Sequence, residues 1–436
     1  MVKYKRISFV LLTLVYFFIF KFSYKYIIAP EWNYFGLDYY GAPIWVDILS
    51  IVLVFLPSLV FPLNFSRPSV IFCLVQYSFL YIPMFIILPN TCIPVLSIDD
   101  YLSVYICSFF GIVIFILFQY IPLVKIKKYR LKSNTIFNFL YYFTLVILLI
   151  AFIVLSISII RNIISSRGLL SFIFEEHSQM RKSYGALSSN YSFGLLTYLT
   201  LWFGGFFLPV KFAIKFYKGK KKSLIIIFMG YLLLFLLTGY KSYVVFLFYM
   251  PFFAYLLYRK GCFIINLQVI FTLILFISSL LVFLQFDLFK WVLLRIYCIT
   301  PLVLAQFYDF FFNFPYTFLS HVSGIDYFIS YPYNYDLGVE VGLFHYGGGI
   351  NVNGGLWASD GIAAFGVFGI IISSIFASVF FYIIDCLSEE VDSRLVVLML
   401  GFLPFSFLNT SLFTTILSSG LFLLVFFLYF IPKKLT

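Results

Sequence analysis

Cations and histidines are sparse in this chain, so where they cluster is the first hint of chemistry. The stretch from 161 to 190, RNIISSRGLLSFIFEEHSQMRKSYGALSSN, holds Arg161, Arg167, Arg181 and Lys182. If its FEEHSQMRKSYG portion is helical, His177, Met180, Arg181 and Tyr184 fall at i, i+3, i+4 and i+7, on one face. Such a face suits an anionic, sugar-bearing ligand. The same residues fit a solvated surface on which Glu175 and Glu176 pair with Arg181 and Lys182, at little energetic gain. Arg161, just beyond an apolar run, can snorkel to headgroups. Arg167, ahead of Gly168, lies away from that run.

Further along, Arg295 sits inside the apolar run FKWVLLRIYCITP, six residues before Pro301. A guanidinium there either snorkels to water or binds a phosphate or carboxylate, which its planar fork fits well. His345 lies in a tyrosine-rich stretch with Asp336 and Glu340 nearby and is a candidate general base. A lone histidine in such a setting is more often structural, and the same holds for His177 and His321. The passage GGGINVNGGLWASDGIAAFG, residues 347 to 366, has neither the G-x-x-x-x-G-K-[ST] pattern nor a strand–G-x-G-x-x-G–helix order, so it is not a phosphate loop. Asn351, Asn353, Trp357 and Asp360 instead offer side chains suited to sugar hydroxyls and faces. The competing reading is structural: Ser359 or Asp360 caps a helix whose small residues let neighbours approach closely.

The elements that must position these residues are set by composition. With 63% hydrophobic, 23% aromatic and only 11% charged residues in 436, the chain is an all-α polytopic membrane protein. About twelve transmembrane helices are expected, at 7–28, 45–63, 70–88, 101–124, 136–160, 191–213, 223–238, 242–258, 263–286, 361–384, 395–409 and 412–431. Residues 1–436 then form one integral membrane body, with two long loops, 161–190 and 287–360, on the outer face. The larger lies between spans 9 and 10. The first span is expected to be retained rather than cleaved.

The net charge of +12 is not carried by any basic, aromatic-interleaved soluble segment, so nucleic acid is excluded as a partner. The basic clusters around Lys3, Lys125–Lys132, Lys211–Lys222, Arg259 and Lys433 mark the cytoplasmic side, with both termini inside. One stretch resists this assignment, the acidic DCLSEEVDSR at 385–394. The six cysteines show no metal-binding spacing.

Arg295 and Pro301 (R-x5-P), the FYDFFFNFP segment, and D-G-x-A-x-F-G-x-x-G from Asp360 to Gly369 together resemble the Wzy-type oligosaccharide repeat-unit polymerases, the O-antigen polymerase family. Arg181 with Gly185, and the turn from Thr238 to Ser242, match less exactly; Lys241 stands where the family often has arginine. The resemblance covers chiefly residues 160–370.

It implies a GT-C-like glycosyltransferase of the bacterial inner membrane, acting at its periplasmic face. Such an enzyme moves a growing glycan from undecaprenyl diphosphate onto another lipid-linked repeat unit, with membrane lipids around it and a chain-length regulator as a candidate partner. Under this reading Arg161, Arg167, Arg181 and Arg295 hold the departing diphosphate, His345 or Glu176 serves as base, and Asn351, Asn353, Trp357 and Asp360 contact glycan. No D-x-D pattern is present outside, so neither metal nor cofactor is expected. An O-antigen ligase shares the architecture. A lipid-linked oligosaccharide flippase is a competitor from another class, although it should carry charges within its spans and two similar halves.

Overall fold

A chain this apolar can leave few peptide groups without a partner, and a helix satisfies them within one segment. The computed structural model describes residues 2–91, 98–129, 135–165, 194–220, 222, 224–259, 261–322, 324–348 and 350–431, and these contain helices and no strand. In chain order the helices are α1 (Tyr4–Phe35), α2 (Ile44–Val60), α3 (Val70–Asn90) and α4 (Asp99–Phe118). Next come α5 (Thr135–Ser165), α6 (Leu195–Tyr217), α7 (Leu224–Thr238), α8 (Lys241–Tyr258), α9 (Phe263–Phe283) and α10 (Leu288–Asn313). The chain closes with α11 (Leu337–Tyr346), α12 (Leu356–Ile362), α13 (Gly369–Ser388) and four short pieces, α14 (Ser393–Leu400), α15 (Leu403–Ser406), α16 (Leu412–Leu417) and α17 (Leu421–Tyr429).

Nine helices among the described residues are long and apolar enough to cross a membrane, and α2 and α7 are shorter apolar ones. This agrees with a multi-pass membrane protein and differs in detail from twelve regular spans. The stretches 395–409 and 412–431, each expected as one span, are broken at Gly401 (φ +56°) and Gly420 (φ +86°), conformations that suit glycine and end a helix. Residues 287–360, expected as one loop, begin with α10, a 26-residue apolar helix. Lys290 sits at the helix start, where its ammonium meets Asp287 at 2.9 Å and Glu31 at 3.1 Å.

Proline shapes four of the long helices. Widened π-helical turns occur at Tyr24–Ile28, Tyr77–Tyr81, Phe203–Phe207 and Leu294–Cys298, followed by Pro30, Pro83, Pro209 and Pro301. Proline has no N–H to donate, and its ring crowds the carbonyl four residues back, which lies inside the widened turn in each case. The spacing of Arg295 and Pro301 is therefore, first of all, a signal for helix shape.

The chain divides into two compact units. The first comprises Met1–Leu123, Lys260–Asp385 and Pro404–Thr414, and α3 is its central post, with its whole apolar window buried. Phe72 stacks on Phe381 at 4.2 Å and meets Phe115 and Phe407 edge-on. Polar side chains tie helices across this apolar packing. The Tyr16 hydroxyl donates to the Ser78 carbonyl at 2.6 Å, Ser78 Oγ donates to Gln268 Oε1 at 2.8 Å, and the Ser23 and Ser279 hydroxyls are 2.6 Å apart. Such interhelical bonds contribute about 0.6 kcal/mol each on average in membrane proteins.

The second unit, Val124–Arg259, Cys386–Leu403 and Thr415–Thr436, packs α5 on α6 through Tyr141–Phe203 and Phe137–Phe207 ring contacts. Within it the acidic stretch that opposed the charge bias finds a basic partner: Lys128 Nζ lies 3.2 Å from Glu390 Oε2.

The D-G-x-A-x-F-G-x-x-G stretch folds back on itself. A Cβ added at Gly369 would lie 2.0 Å from the Gly361 carbonyl oxygen, so the start of α13 presses backbone to backbone on α12. We expect Gly369→Ala to lower stability by about 1–3 kcal/mol, read as a lower melting temperature of the detergent-solubilised protein. An unchanged melting curve would show that the contact is not needed.

Candidate functional site

Within the first unit, a cavity of about 500 Å³ opens among Phe307 of α10, residues 320–338, residues 353–359 and residues 409–414, where loops run into the short helices α11, α12 and α16. Local chemistry explains how each segment stays in place. Asp336 precedes α11 but its carboxylate makes no capping bond, whereas Glu340 Oε1 reaches back to accept from the Asn334 and Tyr335 amides at 3.1 and 2.8 Å. That reversed cap leaves Asp336 for the cavity wall. Backbone bonding anchors the next segment, from the Val352 amide to the Gly338 carbonyl at 2.8 Å. At Gly355 an added Cβ would meet the Leu408 carbonyl oxygen at 2.5 Å, and the Leu356 amide donates to Phe407 O at 3.1 Å. Only a residue without a side chain allows this approach of 353–356 to 407–410.

Asp360 holds the last wall. It is buried, and Oδ2 accepts the Leu412 amide at 2.6 Å, fixing the segment that presents Asn409, Thr410, Ser411 and Thr414 to the cavity. Its Oδ1 has no hydrogen-bond partner among the described residues. Burial raises its pKa to about 7, against the opposing pull of the Leu412 amide and the nearby Ser411 hydroxyl.

His321 also lines the cavity. Thr317 Oγ1 lies 3.0 Å from both the Ala363 carbonyl oxygen and His321 Nδ1, and His321 Nε2 is buried with no partner among the described residues. Burial lowers the His321 pKa to about 4, which keeps the ring neutral and able to accept a hydrogen bond.

The wall is polar but carries no Lys or Arg among its described residues. Amides (Asn353, Asn409), hydroxyls (Ser320, Ser359, Thr410, Ser411, Thr414, Tyr331) and the carboxylates of Asp326 and Asp336 surround Phe307 and Leu337. This set offers donors and acceptors to a neutral polyhydroxyl ligand, with the Phe307 and Tyr331 rings among them, and repels an anion.

The residues singled out by sequence are scattered. Asn353 lines the cavity and Asp360 supports it from behind, whereas exposed Asn351 is not part of the wall. Trp357 is fully buried, its indole N–H donating to Ser374 Oγ at 2.9 Å and its ring 6.2 Å from Phe115, so it is a packing residue rather than a glycan platform. His345 is not in the wall either. Its Nε2 is 3.0 Å from the Gln306 carbonyl and 3.8 Å from Asp309 Oδ2, and burial lowers its pKa against that carbonyl bond. It ties α11 to α10.

Arg295 is exposed on α10 and lines no part of the cavity. Arg167, Glu176 and Arg181 lie outside the described residues, and of Arg161 only its place on the α5 backbone is described. Sequence reasoning passed over His321, Asp336 and Asn409 as site residues. The one available signal was the density of Ser, Thr and Asn at 406–415, set within an otherwise apolar region.

Because Asp360 ionises less readily in the fold than its ordinary value of 3.8, its stabilising contribution is complete below that value and is lost as pH climbs through about 7. Asp360→Asn, which keeps an acceptor for the Leu412 amide, should flatten the fall in melting temperature from about pH 4 to about pH 7. A variant melting profile parallel to wild type across that window would place the titration elsewhere. In comparisons with known proteins, no family model, no curated protein and no solved structure matches this chain.

Proposed function

We propose that the protein is a membrane glycosyltransferase that polymerises undecaprenyl-diphosphate-linked oligosaccharide repeat units, and that the cavity beneath Asn353 and Asn409 takes the glycan. The observation that carries this reading is the make-up of that wall. It combines amides, hydroxyls and two carboxylates with an aromatic ring and no cation, in a chain otherwise built for lipid. It suits a substrate with many hydroxyls that is tethered to the membrane by an apolar chain. The resemblance of the Asp360–Gly369 and Arg295–Pro301 motifs to the polymerase family points the same way.

In the reaction, a hydroxyl of the acceptor sugar attacks the anomeric carbon of the donor glycan. The new C–O bond forms as the bond to the diphosphate breaks, and the diphosphate leaves with the electron pair. The leaving group needs cations more than an acid, a role we assign to Arg161, Arg167, Arg181 and Arg295. Of these, Arg295 is exposed and is not part of the cavity wall. The acceptor hydroxyl gives its proton to a base. His345 and Glu176 are the candidates that the sequence offers for that role, and His321, in the cavity wall, is a third. Holding the two sugars in register supplies much of the rate.

Cells carrying Asn353→Ala with Asn409→Ala should make surface polysaccharide at a rate lower by roughly tenfold or more, the equivalent of about 1.4 kcal/mol of lost positioning. Arg181→Ala and Arg295→Ala should each shorten the chain-length ladder at equal expression. Deleting the gene should leave a single repeat unit on the lipopolysaccharide core. A core bearing no repeat unit would assign the chain to ligation instead, and full ladders in both arginine variants would remove their diphosphate role.

A further inference from the structure

The second unit has a cavity of its own, of about 240 Å³, between the first turns of α5 and the last turns of α6. Lys211, Lys215, Lys218 and Lys220 line it, with Asn138 beside them. The first three stand at i, i+4 and i+7, so helix geometry sets their ammonium groups on one face, where they repel one another. No carboxylate lines the cavity, and none of the four lysines is ion-paired among the described residues.

A topological signal on the basic side of a membrane protein requires only charge in a loop. It does not require a concave site, nor a lysine drawn back into a helix. Lys211 is half-buried, and its ammonium lies 4.2 Å from the Tyr141 ring centre and 4.8 Å from that of Tyr142. The ring faces compensate part of that charge. Phe137, Tyr142 and Ile214 complete the wall with apolar surface.

We propose that this cavity binds a phosphate-bearing anion at the membrane surface, with the lysine ammonium groups and the Asn138 amide on the phosphate oxygens. A lipid headgroup and free phosphate share this chemistry. Basic pockets between membrane helices hold anionic headgroups in this manner, and the apolar wall suits the start of an acyl chain.

The full-length protein in neutral detergent is titrated with phosphatidylglycerol, phosphatidylcholine or inorganic phosphate, with binding read by native mass spectrometry and by melting temperature. Phosphatidylglycerol should bind and raise the melting temperature, and Lys211→Gln with Lys215→Gln should weaken its apparent affinity by about tenfold or more. Lys215→Arg with Lys218→Arg should keep binding. Lys125→Gln with Lys127→Gln, which removes two exposed lysines outside the cavity, should match wild type. If the first double variant does not fold, Lys218→Gln with Lys220→Gln, at exposed positions, should show the same direction of loss. A response to phosphatidylglycerol alone assigns a lipid, and an equal response to inorganic phosphate assigns the phosphate group by itself. The proposal is overturned if neither binds, if phosphatidylcholine binds equally well, or if the Lys125/Lys127 variant loses as much affinity as the cavity variant.

Discussion

An unpaired peptide group costs several kcal/mol in lipid, and this constraint organises the first unit. Inside the long helices it is met automatically. Where the chain leaves the helices, each exit is answered by a specific partner: Glu340 for the amides of Asn334 and Tyr335, Asp360 for the amide of Leu412, and the Phe407 carbonyl for the amide of Leu356. The cavity exists because these non-helical segments are held apart by their own pairings. The carboxylates and glycines of this region are therefore structural in their first role, and the cavity follows from them.

The division of labour among polar residues is governed by what each has left to offer. Trp357 and His345 are attractive in sequence, yet each has given its N–H to a neighbour, Ser374 in one case and the Gln306 carbonyl in the other. His321 engages Thr317 through Nδ1 and has no partner at Nε2 among the described residues. Asp336 is free for the wall because Glu340 does the capping instead. Chemistry is available where the hydrogen-bond accounting is incomplete, and in a buried setting that position is costly enough to be informative.

The two cavities have opposite electrostatics. The one in the first unit has carboxylates and neutral polar groups in its wall, and the one in the second unit has four lysines. A neutral, hydroxyl-rich ligand suits the former and a phosphate the latter. Neither wall would serve the other ligand, since an anion is repelled by Asp326 and Asp336, and lysines without a counter-charge are poorly used on a neutral sugar.

Composition and spacing by themselves determined that this is a helical membrane protein, because the energy of apolar side chains in lipid depends on residue type far more than on neighbours. They also located most long helices and the polar 347–366 passage that contributes Asn353 and Asp360 to the site. They did not assign α10 as a helix of its own, since its run falls in the 287–360 loop, although its composition suffices for a span. They did not distinguish His321 from His345 either. The tertiary structure decided how Lys290 and the two imidazoles are engaged, because their partners stand from three to 259 residues away in sequence.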